Sequence, residues 1–238
     1  MEIDWIVLLD PGVWIRDGKW KTVMKVLLLN GSSRPKGCTY TALQEVAKTL
    51  EQEGIETEIF FIGNGPIRDC IACHACSKPG ADGCVFHDDT VHEFVEKARE
   101  ADGFVFGTPV YYAHPSGRIL SFLDRAFYSC AWSKDKPSPF VHKPVASVCS
   151  ARRAGTTASF DVLNKYATIS QMPIVGSTYW NMVHGNQPEE VLQDKEGLQT
   201  MRNIAHNMAW LLKSIEAGKS AGVPTPATER GEVTNFIR

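Results

Sequence analysis

Four of the seven cysteines crowd into one short stretch: Cys70, Cys73 and Cys76 at two-residue gaps, then Cys84 beyond a loop holding Gly80 and Gly83. Thiolates are soft ligands. Three at this spacing wrap readily around one corner of an iron–sulfur cubane, and a fourth can arrive from further along the chain. Zinc more often takes two separated Cys-x-x-Cys knuckles and ranks second; reduced thiols or an oxidation-prone pair would need no metal. Cys38, Cys130 and Cys149 are scattered. The N-terminus lacks the basic region of a secretory signal, with Glu2, Asp4 and Asp10 among its apolar residues, so a disulfide framework is not expected.

A second chemistry is written into three turns. Gly31-Ser32-Ser33-Arg34-Pro35-Lys36-Gly37-Cys38-Thr39 places glycines, hydroxyls and two cations just before a helix start. Free amide N–H groups and the helix dipole then face one point, which makes an anion site. Gly and Ser alone would serve any tight strand-to-helix turn; Arg34, Lys36 and Thr39 are what favour a phosphate. The loop fits neither the Walker pattern nor the Gly-x-Gly-x-x-Gly fingerprint. Residues 107–117, Gly-Thr-Pro-Val-Tyr-Tyr-Ala-His-Pro-Ser-Gly, read either as a proline-stiffened cover for the sheet end or as an aromatic wall for a planar ligand. Ser150–Thr156, with Arg152 and Arg153, is either a solvated basic turn or a set of amides and a guanidinium beside a ring that becomes anionic on reduction. No Ser/His/Asp or paired-carboxylate arrangement stands out, so no side chain is assigned as an acid, base or nucleophile. His114 follows the aromatic turn and could approach a substrate, whereas His184 and Trp180 read as packing or subunit contacts.

These turns need a scaffold, and the periodicity supplies one. Lys25–Asn30 is an apolar run suited to a parallel strand buried on both faces. Leu43, Val46, Ala47 and Leu50 recur at helical spacing before Gly54. Glu56–Ile62 reads as a second strand; Asp88 or Asp89 can cap a helix with Val91, Phe94, Val95 and Ala98 inside. Gly103–Phe106, Val145–Cys149 and Ile174–Ser177 read as strands three to five. Helices start after Ser116 and Gly155, and a last one carries Leu198, Met201, Ala205, Met208 and Leu212. Strands and helices in alternation predict an α/β doubly wound parallel sheet, with ligands beyond the carboxyl ends of its strands. Residues 1–23 read as an N-terminal extension, 24–216 as one domain and 217–238 as a tail without periodicity. Trp5, Trp14 and Trp20 could pack on a partner subunit.

The 238 residues carry 25 Lys+Arg against 27 Asp+Glu, a net charge of −2, which argues against a nucleic-acid or anionic-membrane binder. With 43% hydrophobic and 22% charged residues the composition is globular. The longest apolar runs, such as Val26-Leu27-Leu28-Leu29, are strand-sized. A cytoplasmic protein without a membrane span is expected.

Gly31-Ser32-Ser33 through Thr39, Gly107-Thr108-Pro109-Val110-Tyr111-Tyr112 and Ala151-Arg152-Arg153-Ala154-Gly155, in that order, resemble the flavodoxin-like NAD(P)H-dependent FMN reductase superfamily. Gly176–Gly185 and the cysteine stretch resemble its iron–sulfur flavoprotein branch. The resemblance covers roughly Met24 to Leu212 and implies a five-stranded sheet in the order 2-1-3-4-5. It implies FMN phosphate held by Ser32, Arg34, Cys38 through its backbone, and Thr39. Pro109, Val110, Tyr111 and Tyr112 would flank the isoalloxazine, while Ala151, Arg152, Arg153 and Gly155 would face its pyrimidine edge. Cys38 departs from the small polar residue common at that place, and a thiol donates weakly. Cys70, Cys73, Cys76 and Cys84 would hold a [4Fe–4S] cluster. The implied activity is ping-pong electron transfer from NAD(P)H through FMN to a small-molecule or protein acceptor, by a homodimer or homotetramer. The alternative is an electron carrier between ferredoxin-like partners.

Overall fold

The computed structural model describes residues 15–16, 19–20, 23–232, 234 and 236. Trp5 and Trp14 lie outside them. Of the expected N-terminal extension, Ile15–Arg16 pairs antiparallel with Lys19–Trp20. The main body runs β1 (Lys25–Asn30), α1 (Cys38–Gln52), β2 (Glu56–Phe61), α2 (Val91–Glu100), β3 (Gly103–Tyr111), α3 (Gly117–Ala131), β4 (Val145–Ala151), α4 (Thr156–Ile169), β5 (Met182–His184), α5 (Pro188–Val191) and α6 (Lys195–Ser220).

The strands form one parallel sheet in the order β2-β1-β3-β4-β5, the expected flavodoxin-like order. Alternation along β1 explains its two-sided burial. Leu27 and Leu29 face a core shared with Phe94 of α2, Phe122 of α3 and Leu163 of α4. Val26 and Leu28 face Leu43 and Val46 of α1 and Met201 and Met208 of α6. An aromatic cluster fills the first layer: Phe94 lies edge-to-face on Phe122 at 5.3 Å and tilted against Phe60 at 5.5 Å, ring centre to ring centre. Burying each such ring contributes roughly 1.5–3 kcal/mol.

The fifth strand departs from expectation. Ile174 makes only an isolated parallel bridge to Val145. The chain then swings out through Gly176–Trp180 and pairs again where Met182–His184 meets Cys149–Ala151. The strand at the site is therefore Met182–His184 and not Ile174–Ser177. β3 also outruns its expected end at Phe106, continuing to Tyr111 despite Pro109, because parallel pairing with β4 persists to Pro109↔Ser150. α6 continues to Ser220 and ends beside Gly222 at φ +83°. Among the described residues no helix is long and apolar enough to cross a membrane.

Candidate functional site

The sheet order puts the carboxyl ends of β1, β3, β4 and β5 on one rim, and each exit turn is tied to its neighbour. After β1, the Gly31 N–H donates to Gly107 O at 2.9 Å. Buried Asn30 shapes the loop: its Oδ1 accepts from the Ser32 N–H (3.2 Å) and its Nδ2 donates to Pro35 O (3.1 Å). Ser32 is buried and its Oγ accepts from the Arg34 N–H at 3.0 Å. Gly37 then starts α1 with no side-chain cap, so no N-cap side chain takes up the first-turn amides. Arg34 and Lys36 are exposed around that end. Thr39 is buried and shares a 2.8 Å hydrogen bond with Ser150 Oγ, which joins the first turn to the third. The Cys38 thiol leans on Gly185 O at 3.6 Å, and burial pushes its pKa up.

The second turn is a hairpin. Val110 pairs with Pro115 and Tyr111 with His114, leaving Tyr112 and Ala113 as the two-residue tip. Both have positive φ, +51° and +59°, the geometry of a type I′ turn that glycine or asparagine ordinarily fills. Holding two non-glycine residues there costs about 1–2 kcal/mol each. Tyr112 is fully solvent-exposed and Tyr111 about half. Ser116 closes the hairpin: its N–H donates to Thr108 Oγ1 (3.1 Å), its Oγ donates to Gly31 O (3.0 Å), and it caps α3. His114 keeps its ring on the Pro115 carbonyl, 3.1 Å away.

The third turn exposes Arg152, Arg153 and Ala154, then reaches Gly155 at φ +95°. A Cβ on Gly155 would collide with Ala113 Cα and stand 2.9 Å from Val110 Cγ1, so glycine is what lets this turn close on the hairpin. The β5 exit completes the rim: the Gly185 N–H donates to Ala151 O at 3.0 Å, and His184 Nε2 lies 3.1 Å from Arg153 O. Asp194 holds that exit by accepting from the His184 N–H at 2.7 Å while capping α6 through Gly197. The structure thus places Ser32, Arg34, Cys38, Thr39, Pro109, Val110, Tyr111, Tyr112, Ala151, Arg152, Arg153 and Gly155 along one rim. Uncapped amides beside two cations suit a phosphate, and an open rim beside tyrosines suits a flat ring.

The cysteine stretch occupies the long connection from β2 to α2, away from these turns in sequence. Cys70, Cys73, Cys76 and Cys84 line one cavity, whose other walls are Ile71, His74, Val85, Phe86, Arg125, Tyr128 and Ser129. Cys76 is buried, and Cys70 and Cys73 are exposed. Burial pushes the Cys76 thiol up, and the sulfurs of Cys84, Cys73 and Cys70 push the same way. Ala72 and His74 adopt positive φ, +50° and +54°, as the chain coils around the cavity. Among the described residues no three Cys, His, Asp or Glu side chains converge as the ligands of one metal ion. A cubane carries its ligands at separate corners, wider apart than those of one tetrahedral ion, and four sulfurs around an apolar cavity suit that donor set.

Arg125 went unseen in the sequence, because a cation three residues after Phe122 and one before Ala126 looks like an interruption of an apolar helix face. It is fully buried and pairs with Asp89, itself nearly buried. Asp89 also accepts from the Val91 N–H at 3.1 Å, but it sits one residue before the helix start: the N-cap position belongs to Thr90, not to Asp88 or Asp89, and carries no side-chain cap.

An open parallel sheet in the order β2-β1-β3-β4-β5, with its exit turns gathered on one rim, defines a flavodoxin-like fold. The chain belongs to the NADPH-dependent FMN reductase family, which it matches over residues 24–187. It is similar to an iron-sulfur flavoprotein of Methanocaldococcus jannaschii, with 30% identity over 200 residues, 81% of this chain and 100% of that one. Among solved structures, RosB with a bound 8-demethyl-8-formylriboflavin-5′-phosphate shares the fold at TM-score 0.61 and 16% identity, covering 91% of this chain and 94% of that one. An archaeal flavodoxin does so at TM-score 0.52 and 10% identity, over 80% and 99%. The protein is an FMN-dependent oxidoreductase.

Proposed function

We propose that the protein carries two redox groups, FMN on the rim and a [4Fe–4S] cluster at Cys70, Cys73, Cys76 and Cys84, and transfers electrons from NAD(P)H to a second acceptor in a ping-pong sequence. The observation that carries the reading is the pairing of the uncapped α1 start and tyrosine-edged rim with a separate cavity lined by four sulfurs. The family's name supports the nicotinamide donor, and the name of the Methanocaldococcus relative supports the cluster.

Bound FMN supplies the redox chemistry, accepting two electrons or passing one at a time. The chain binds and orients it. The first-turn amides of α1, with Ser32, Arg34 and the Cys38 and Thr39 backbone, hold the phosphate. Pro109 to Tyr112 shield the ring, and the amides and guanidinium groups of residues 151–155 favour negative charge at its pyrimidine edge. No side chain has to move a proton.

A second reading uses no nicotinamide nucleotide and shuttles single electrons between ferredoxin-like partners; the four-sulfur cavity, which suits a one-electron group, favours it. Anaerobic purification followed by a visible spectrum, iron and sulfide analysis, and a bleaching test with NADH and NADPH separates the readings. Bleaching by either nucleotide supports the reductase. Flavin and cluster without bleaching support the carrier, and colourless folded protein that takes up no FMN defeats both. Exposed Tyr179 and Trp180, packed edge-to-face at 4.8 Å, support a homo-oligomer contact next to the rim. A cytoplasmic setting keeps the thiols reduced and fits this chemistry.

A further inference from the structure

We infer that Arg125 is a positioning residue for the cysteine cavity, its buried guanidinium fixing the Cys84 sulfur and favouring the electron-rich state of the group held there. The inference rests on the cluster reading above. Arg125 Nε donates to Cys84 Sγ at 3.1 Å, and its Nη2 donates to Phe86 O at 3.0 Å. Its Nη1 reaches Arg68 O at 3.4 Å and pairs with Asp89. The planar fork therefore gathers residues 68, 84, 86 and 89, both flanks of the cysteine stretch, onto α3. The guanidinium also lies over the Phe86 ring, 5.2 Å from its centre.

Asp89 and the two carbonyls take up Nη1 and Nη2, and the buried Nε–H goes to the Cys84 sulfur. A buried positive charge in contact with a ligand sulfur is weakly screened, and it stabilises added negative charge on whatever that sulfur binds. One electron entering the group adds such a charge, so Arg125 should draw its midpoint potential upward. Cys84, the member furthest in sequence from the other three, is also the one that most needs a fixed position.

The test compares wild type, Arg125→Lys and Arg125→Met, purified anaerobically, by FMN per chain, iron and sulfide per chain, iron loss to a chelator, and an EPR-monitored redox titration. Arg125→Met should keep FMN and lose iron about tenfold faster, the scale of an outer-sphere ligand partner. Its remaining cluster should titrate at a more negative potential. Arg125→Lys, which keeps the charge and loses the fork, should lose iron faster with a potential near wild type. If Arg125→Met also loses FMN through misfolding, the Lys variant decides by that split. Wild-type iron retention and potential in both variants overturn the assignment of Arg125 alone. Wild-type protein that cannot be loaded with iron and sulfide overturns it together with the cluster reading.

Discussion

The flavin rim and the cysteine segment are both made of loops, yet they are held in opposite ways. Each turn of the rim leaves a strand and is stitched by main-chain bonds to the next strand's exit, Gly31 to Gly107 and Gly185 to Ala151. Residues 63–90 have no ladder, and their regular structure is a single short turn at Ala75–Ser77. A buried ion pair gathers that segment. The lesson is that a sheet places turns through its own geometry, whereas a loop without a ladder depends on a few strong, desolvated contacts and is the softer part of the fold.

The contrast is most easily broken at Asp89. Asp89→Ala leaves the Arg125 charge buried and uncompensated, which should cost about 3–5 kcal/mol. Chemical unfolding measures the loss, and hydrogen exchange should show residues 63–90 opening before the rim; simultaneous opening would erase the distinction. Next in size is Gly155→Ala. Strained φ and the collision with Ala113 should cost about 2–3 kcal/mol and weaken FMN binding. A melting curve and a flavin titration check it, and an unaltered affinity would mean the third turn does not touch the ring. Arg34→Ala should weaken FMN about tenfold, the value of one charge-assisted phosphate contact, with stability unchanged.

The smallest effect comes from a surface pair used as a contrast to Arg125–Asp89. Glu53, at the end of α1, is held below the usual carboxylate range by Lys213 and then by His206 on α6. Its folded pKa is depressed, so its stabilisation is full above the unfolded value of about 4.3 and disappears as pH falls through the folded value. Lys213→Met should cost less than about 1 kcal/mol at neutral pH because solvent screens the pair. Unfolding curves should show that difference shrink in acid; a difference that grows there would contradict the sign.

Much of the fold could be read from residue order. The Leu43/Val46/Ala47/Leu50 spacing, the helix start after Ser116 and the buried run of β1 depend on local residue order and appear where expected. What failed was non-local. Ile174-Val175 looks like a strand, but its pairing is completed eight residues later by Met182–His184, a stretch too short to show a period. Pro109 signals the end of a strand, and only its partner on β4 keeps it within one. For the candidate site, the three turns and the four cysteines were legible because their residue types are rare together. Arg125 was not, since its role exists only where α3 passes under a segment roughly forty residues upstream.

The hairpin tip has one more consequence. Tyr112 touches water on all sides: main-chain torsions fix only where its side chain leaves the hairpin, and no wall of neighbours holds its χ angles. A planar guest would have to still that ring on contact, at about 0.5–1.5 kcal/mol. A glycine pair at that tip would spare the backbone its discomfort and surrender the ring.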